Sequence, residues 1–248
     1  MWFTQQRMYR YQRFSDDLVT TAHQTYVLPA TFQWHTSHHQ WLRWLGQVVS
    51  WGYYLIRPVK VIGELPRQTS YCLYGNHTQP TGDVLLPLKV GGAQHFNAMI
   101  SPANLGIPVI GRLLPLVGGL PVPQQRQQMG PFLKAMRTCL KMGQFITIYP
   151  EAHVWPYYTG VRPFVPGSFH IAAETQVPVY VMTTTYQASR WHRRPRLTVY
   201  IDGPIQAPSG LTRKQRQQVL QTEVCAWMTR RTQASTYTYV HYQHQGAQ

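Results

Sequence analysis

The chain has 248 residues, 44% of them hydrophobic and only 12% charged, which suits one large α/β domain with a well-buried core. Its formal net charge of +15 comes from a shortage of acids (eight Asp and Glu) more than from runs of bases; it fits an anionic membrane surface, nucleic acid or a phosphorylated small molecule without choosing among them. Cys72, Cys139 and Cys225 form no CxxC pair and read as buried thiols in a reducing compartment, the first fifteen residues lack the apolar run of a secretory signal, and no stretch reaches the roughly 18 apolar residues of a spanning helix.

In chain order, residues 1–40 are aromatic and rich in Gln and His, with no clear period. His35, His38 and His39 have no carboxylate or cysteine cluster beside them, so they read as surface histidines and not as metal ligands. Residues 41–56, WLRWLGQVVSWGYYLI, form an apolar run interrupted by Arg43 and Gln47 and followed by Arg57 and Lys60. Two readings stand: a helix lying in a membrane interface, or an ordinary helix packed on the core. Residues 59–65 and 70–74 read as strands, residues 83–88 as the start of a helix, and 94–100 as a weaker strand. Residues 108–116 suggest a short helix ended by Gly118 and Gly119, with a strand over 120–122.

Met129, Phe132, Leu133, Met136 and Leu140 recur at helical spacing, with Lys134, Arg137 and Lys141 opposite and Gly143 as the stop. Residues 144–149 are a strand, 168–175 a helix, and 177–183 and 197–201 strands. A last helix opens at Thr212, where Gln215 completes a capping-box pattern, and carries the stripe Leu220, Val224, Trp227 and Met228. The tail after Arg231 is polar and reads as frayed. Strands alternating with helices imply a mostly parallel sheet covered by helices on both faces, preceded by the amphipathic helical segment. Two units are expected: an N-terminal segment over 1–57, which the interfacial reading places at a membrane surface, and the main α/β domain over 58–248.

Two segments at the carboxyl ends of strands carry chemistry. GNHTQPTGDVLLP holds His77 and Asp83, and IYPEAHVWPYY holds Glu151. Ligands of open α/β sheets bind at those strand ends. A histidine with a carboxylate in reach can activate a hydroxyl: the imidazole takes the proton and the carboxylate fixes its tautomer. The plain alternative makes His77 a turn residue and Asp83 a helix cap. Glu151 has a plain alternative too, a structural carboxylate accepting loop N–H bonds or pairing with an arginine. The aromatic loop His153, Trp155, Tyr157 and Tyr158 reads first as packing and second as a surface touching lipid, since aromatic rings with polar tips suit a wet apolar boundary. Arg190, Arg193, Arg194 and Arg196 form a basic cluster near a strand start.

Together, over about residues 58–205, these segments resemble the glycerolipid acyltransferase superfamily of lysophospholipid and 1-acylglycerol-3-phosphate acyltransferases. Four blocks stand in the family order: Asn76-His77 with Asp83; residues 107–122, IPVIGRLLPLVGGLPV; Tyr149-Pro150-Glu151-Ala152-His153; and Val177-Pro178-Val179. Phe164, Gly167-Ser168-Phe169 and Ile171-Ala172 add a further match. The chain departs from the family in three places. Five residues instead of four separate His77 from Asp83, Gln124 stands where an acceptor-binding arginine is usual, and Ala152-His153 replaces Gly-Thr, with Val154 in place of the following arginine.

The resemblance implies an O-acyltransferase with His77 as general base and Asp83 as its orienting partner. Asn76, Glu151 and one or more of Arg112, Arg126 and Arg162 would bind substrate. It implies no cofactor and no metal; acyl-CoA or acyl-carrier protein serves as co-substrate and a lysophospholipid as acceptor. It also implies a peripheral or monotopic position on the cytoplasmic face of a membrane, with no nucleic acid as partner. Two rivals remain: the same chemistry on a phosphate-free acceptor, and a non-catalytic basic module that binds anionic lipid or nucleic acid.

Overall fold

The computed structural model describes residues 7–19, 26–36, 39–189 and 194–246. Its centre is a seven-stranded sheet. In chain order the strands are β1 (Met8–Tyr11), β2 (Val59–Ile62), β3 (Cys72–Gly75), β4 (Phe96–Ile100), β5 (Gly119–Pro121), β6 (Phe145–Ile148), β7 (Val179–Gln187), β8 (Arg196–Ile205) and β9 (His241–His244). The large sheet runs β2-β8-β7-β3-β6-β4-β5. The five strands from β7 to β5 are mutually parallel; β8 returns antiparallel to β7, and β2 is parallel to β8.

The helices are α1 (Gln40–Ile56), α2 (Gly82–Gly91), α3 (Ile110–Val117), α4 (Met129–Lys141), α5 (His170–Thr175) and α6 (Arg213–Thr232). Strands β3 and β6 are buried along their whole length, as strands covered on both faces must be. Their side chains alternate between two cores. Cys72, Tyr74, Ile146 and Ile148 face α4, α5 and α6, where they meet Met136, Leu140, Ala172, Val224 and Met228. Tyr71, Leu73 and Phe145 face α1 and α2, against Tyr54, Leu86 and Leu88. The stripe on α6 buries Leu220, Val224 and Met228, and the capping box at Thr212 and Gln215 is formed. Each such side chain, fully buried, contributes roughly 1.5–3 kcal/mol.

Helix α1 is amphipathic in an unexpected sense. The residues that interrupt its apolar run face the protein. Arg43 donates to the carbonyls of Gln94 and Phe96, and the Gln47 side chain accepts from the Ala93 N–H at 2.8 Å. Ser50 and Tyr54 donate to the carbonyls of Leu85 and Gly82. Burial lowers the Arg43 pKa to about 10. The opposite face is apolar and open: Trp41, Trp44 and Trp51 are each more than half exposed, and Leu55 and Ile56 more than four-fifths. Among the described residues no helix is long and apolar enough to cross a membrane.

The tail does not fray. β9 pairs in parallel with β1, with Met8 opposite His241 and Tyr11 opposite His244. Neither four-residue strand has an apolar period. Aromatic stacking holds them instead: Tyr242 lies flat on Trp155, with centroids 4.9 Å apart, and Tyr11 meets the edge of the same ring at 4.7 Å. His38, Arg190 and Arg193 lie outside the described residues. Arg194 and Arg196 are exposed, and Arg196 donates to the Ala188 carbonyl.

Candidate active site

Strand β3 ends at Gly75, and the chain leaves the sheet through Asn76. This buried side chain bonds the β7 backbone on both sides of its amide, donating to the Thr184 carbonyl at 3.0 Å and accepting from the Thr184 N–H at 2.8 Å. The next residue is therefore delivered to the carboxyl edge of the sheet at a fixed point. His77 keeps 18% of its side chain exposed, and its Nδ1 lies 2.8 Å from Asp83 Oδ2. Nδ1 thus donates to the carboxylate, which leaves the Nε2 lone pair to take a proton.

Asp83 is the second residue of α2, is 1% exposed and also accepts the Gln79 N–H at 2.9 Å on Oδ2. The positive end of a helix favours a carboxylate there. Within the five-residue spacer the Gln79 side chain folds back over Gly82. A Cβ at position 82 would stand 2.1 Å from Gln79 Oε1. The Gln79 amide in turn reaches Thr184 Oγ1 at 3.3 Å. Asp83 is not the helix cap: Thr81 holds that position without a side-chain cap bond, and Asp83, inside the first turn, ties the imidazole to the turn at Gln79.

The loop after β6 closes the back of the site. Glu151 is buried; its Oε2 accepts from the His77 N–H at 3.3 Å and from Arg162 Nη2 at 2.8 Å, and its Oε1 accepts from the Arg162 N–H at 3.1 Å. Arg162 also donates to the His153 carbonyl and lies over the Trp155 ring. The Trp155 and Tyr157 N–H groups donate to the carbonyls of His77 and Thr78. Tyr186 Oη lies 2.8 Å from Thr78 Oγ1. Ala152 adopts φ +63°, a positive φ that glycine enters more freely than alanine.

The structure thus gathers His77, Asp83, Asn76, Glu151 and Arg162 into one network. Arg112, on α3, and Arg126, in the short turn before α4, are exposed and join no hydrogen bond of that network among the described residues. The Gln124 side chain holds residues 26–28, accepting from the Leu28 N–H and donating to the Tyr26 carbonyl. Trp155 and Tyr157 are buried, as packing residues are. Among the described residues no group of three or more His, Cys, Asp or Glu side chains could hold a metal ion.

An acyltransferase family model matches residues 58–185, slightly more than half of the chain and all of the network above. The chain belongs to the acyltransferase family. This acyltransferase shares its fold with the crystal structure of the 1-acyl-sn-glycerophosphate (LPA) acyltransferase PlsC from Thermotoga maritima, with a TM-score of 0.57, 19% identity and 80% of each chain covered. No curated protein sequence matches it.

Sequence reasoning did not single out Gln79, Thr184, Tyr186 or Tyr149 as part of the site. Tyr149 lay in plain view as the opening residue of the Tyr149-Pro150-Glu151 block, read as the end of a strand that the structure closes one residue earlier at Ile148. Its ring stacks on the His77 imidazole, with centroids 4.5 Å apart and planes 19° apart.

Proposed function

We propose that this acyltransferase moves a fatty acyl group from the thioester of acyl-CoA or acyl-carrier protein to the free hydroxyl of a lysophospholipid such as 1-acylglycerol-3-phosphate. The hydrogen bond between His77 Nδ1 and Asp83 Oδ2, at the carboxyl edge of a parallel sheet, carries the reading. In the proposed reaction the acceptor hydroxyl gives its proton to His77 Nε2 as its oxygen attacks the thioester carbonyl. The tetrahedral intermediate collapses, the carbon–sulfur bond breaks, and the thiolate takes the proton back from Nε2. Asp83 holds the imidazole in place throughout. General-base assistance of this kind is worth about 10²- to 10⁴-fold in rate.

In the same proposal Asn76 and Glu151 act through the backbone on either side of His77. Arg112 and Arg126, exposed and unpaired with the buried network, are the cations offered to a headgroup phosphate. Arg162 acts by holding Glu151. The apolar face of α1 rests on the cytoplasmic face of an anionic membrane, where acceptor and product reside; Trp41, Trp44 and Trp51 supply the amphipathic rings that suit such an interface.

A phosphate-free acceptor is the second reading. It is favoured by Gln124, which is engaged with the chain's own backbone, and by Arg162, whose side chain is fully buried against Glu151. Purified protein with a long-chain acyl-CoA and either lysophosphatidic acid or monoacylglycerol separates the two. Faster transfer to lysophosphatidic acid supports the first reading; transfer to monoacylglycerol alone replaces it with the second.

A further inference from the structure

We propose that Tyr149 is the positioning residue of the dyad, fixing both the His77 ring and the first turn of α2, which carries Asp83; this rests on the reading of His77 as the base. Three independent observations meet at this side chain. Its ring lies nearly parallel to the imidazole, so the imidazole cannot swing about its Cβ–Cγ bond without losing that contact. Its hydroxyl donates to the Asp83 carbonyl at 2.6 Å. That carbonyl needs an outside donor. In a helix it would accept from the N–H four residues on, and that residue is Pro87, which has none. Tyr149 supplies the missing hydrogen bond to a buried backbone group that would otherwise be left unpaired.

The third observation is the space the ring occupies. Tyr149 follows β6 directly, and the register of β3 on β6 sets Tyr74 beside Ile148, so the ring falls against Gly75. A Cβ at position 75 would stand 2.6 Å from Tyr149 Cε1. The bare glycine two residues before His77 therefore makes room for the ring beneath the imidazole. Burial, then the neighbouring Asp83 charge and Tyr54, push the Tyr149 phenol well above its ordinary pKa, so it remains a donor at any physiological pH.

Steady-state kinetics with a long-chain acyl-CoA and lysophosphatidic acid test this, with thermal melting as a check on folding. Tyr149→Phe keeps the stack and loses the hydrogen bond; kcat should fall about ten-fold with KM for the acceptor unchanged. Tyr149→Leu loses both, and the fall should approach 100-fold, the scale of a misplaced catalytic group. Gly75→Ala pushes on the ring from below and should also lower kcat.

Pro87→Ala provides the rescue. It restores an N–H opposite the Asp83 carbonyl, so the double variant Pro87→Ala/Tyr149→Phe should recover part of the kcat lost by Tyr149→Phe. If His77→Ala is inactive while folded Tyr149→Phe and Tyr149→Leu keep the wild-type kcat, the positioning role is overturned and the reading of the dyad stands. Transfer that survives His77→Ala overturns both.

Discussion

His77 and Asp83 are six positions apart in the chain and 2.8 Å apart at Nδ1 and Oδ2. The five-residue spacer is closed by a turn in which the Gln79 N–H bonds Asp83 Oδ2, and the Gln79 side chain lies where a Cβ of residue 82 would be. Gly82→Ala should therefore displace Gln79, whose N–H also bonds Asp83 Oδ2, and lengthen the dyad. A fall in kcat of at least about ten-fold, with melting nearly unchanged, is expected. Wild-type turnover in a folded Gly82→Ala protein would show that the loop has slack.

Glu151 and Arg162 form an ion pair with no exposed side-chain surface on either partner. Removing one charge leaves the other buried without its counterion. Glu151→Gln should cost roughly 3–5 kcal/mol of stability by urea unfolding. Glu151→Gln/Arg162→Met should cost clearly less than the two single changes summed. Additive losses would mean the two side chains are not coupled.

The open face of α1 makes a separate prediction. Wild-type protein should float with vesicles containing anionic phospholipid, and a variant with Trp41, Trp44 and Trp51 all changed to Ser should stay behind. All three rings are exposed, so the substitutions should leave the melting temperature almost unchanged. Equal flotation of the two proteins would exclude α1 as the docking face.

Much of this was legible in the chain itself. CLYG and FITI read as buried strands because they are apolar on both faces, and the helix over 129–141 because Phe132, Met136 and Leu140 repeat at its period. The direction in which α1 faces was not legible. Arg43 and Gln47 look like interruptions of an apolar helix until Gln94, Phe96 and Ala93 stand opposite them with backbone groups to satisfy. Nor was the pairing of MYRY with HYQH, since neither has a period and their anchor, Trp155, is distant in sequence from both. Around the site, Asp83 and Pro87 announce an unpaired carbonyl from their spacing alone, but nothing in the sequence says that Tyr149 is the donor.

Two thiols report on the core. Burial pushes the Cys72 pKa up to about 12 and the Cys139 pKa up to about 11, so both stay protonated, and therefore unreactive, well above neutral pH. Iodoacetamide at pH 8 should label at most Cys225 in the native protein, by mass spectrometry, and all three cysteines once it is unfolded. Labelling of Cys72 in folded protein would contradict the packing of β3.

The central claim is that His77 takes the proton of the acceptor hydroxyl while Asp83 holds it in place. The direct measurement is the rate of acyl transfer from a long-chain acyl-CoA to lysophosphatidic acid by purified wild-type, His77→Ala and Asp83→Asn proteins, each shown to be folded by circular dichroism. Loss of at least about 10²-fold in His77→Ala, and of most activity in Asp83→Asn, is the expected result. A folded His77→Ala protein that transfers at the wild-type rate would contradict it.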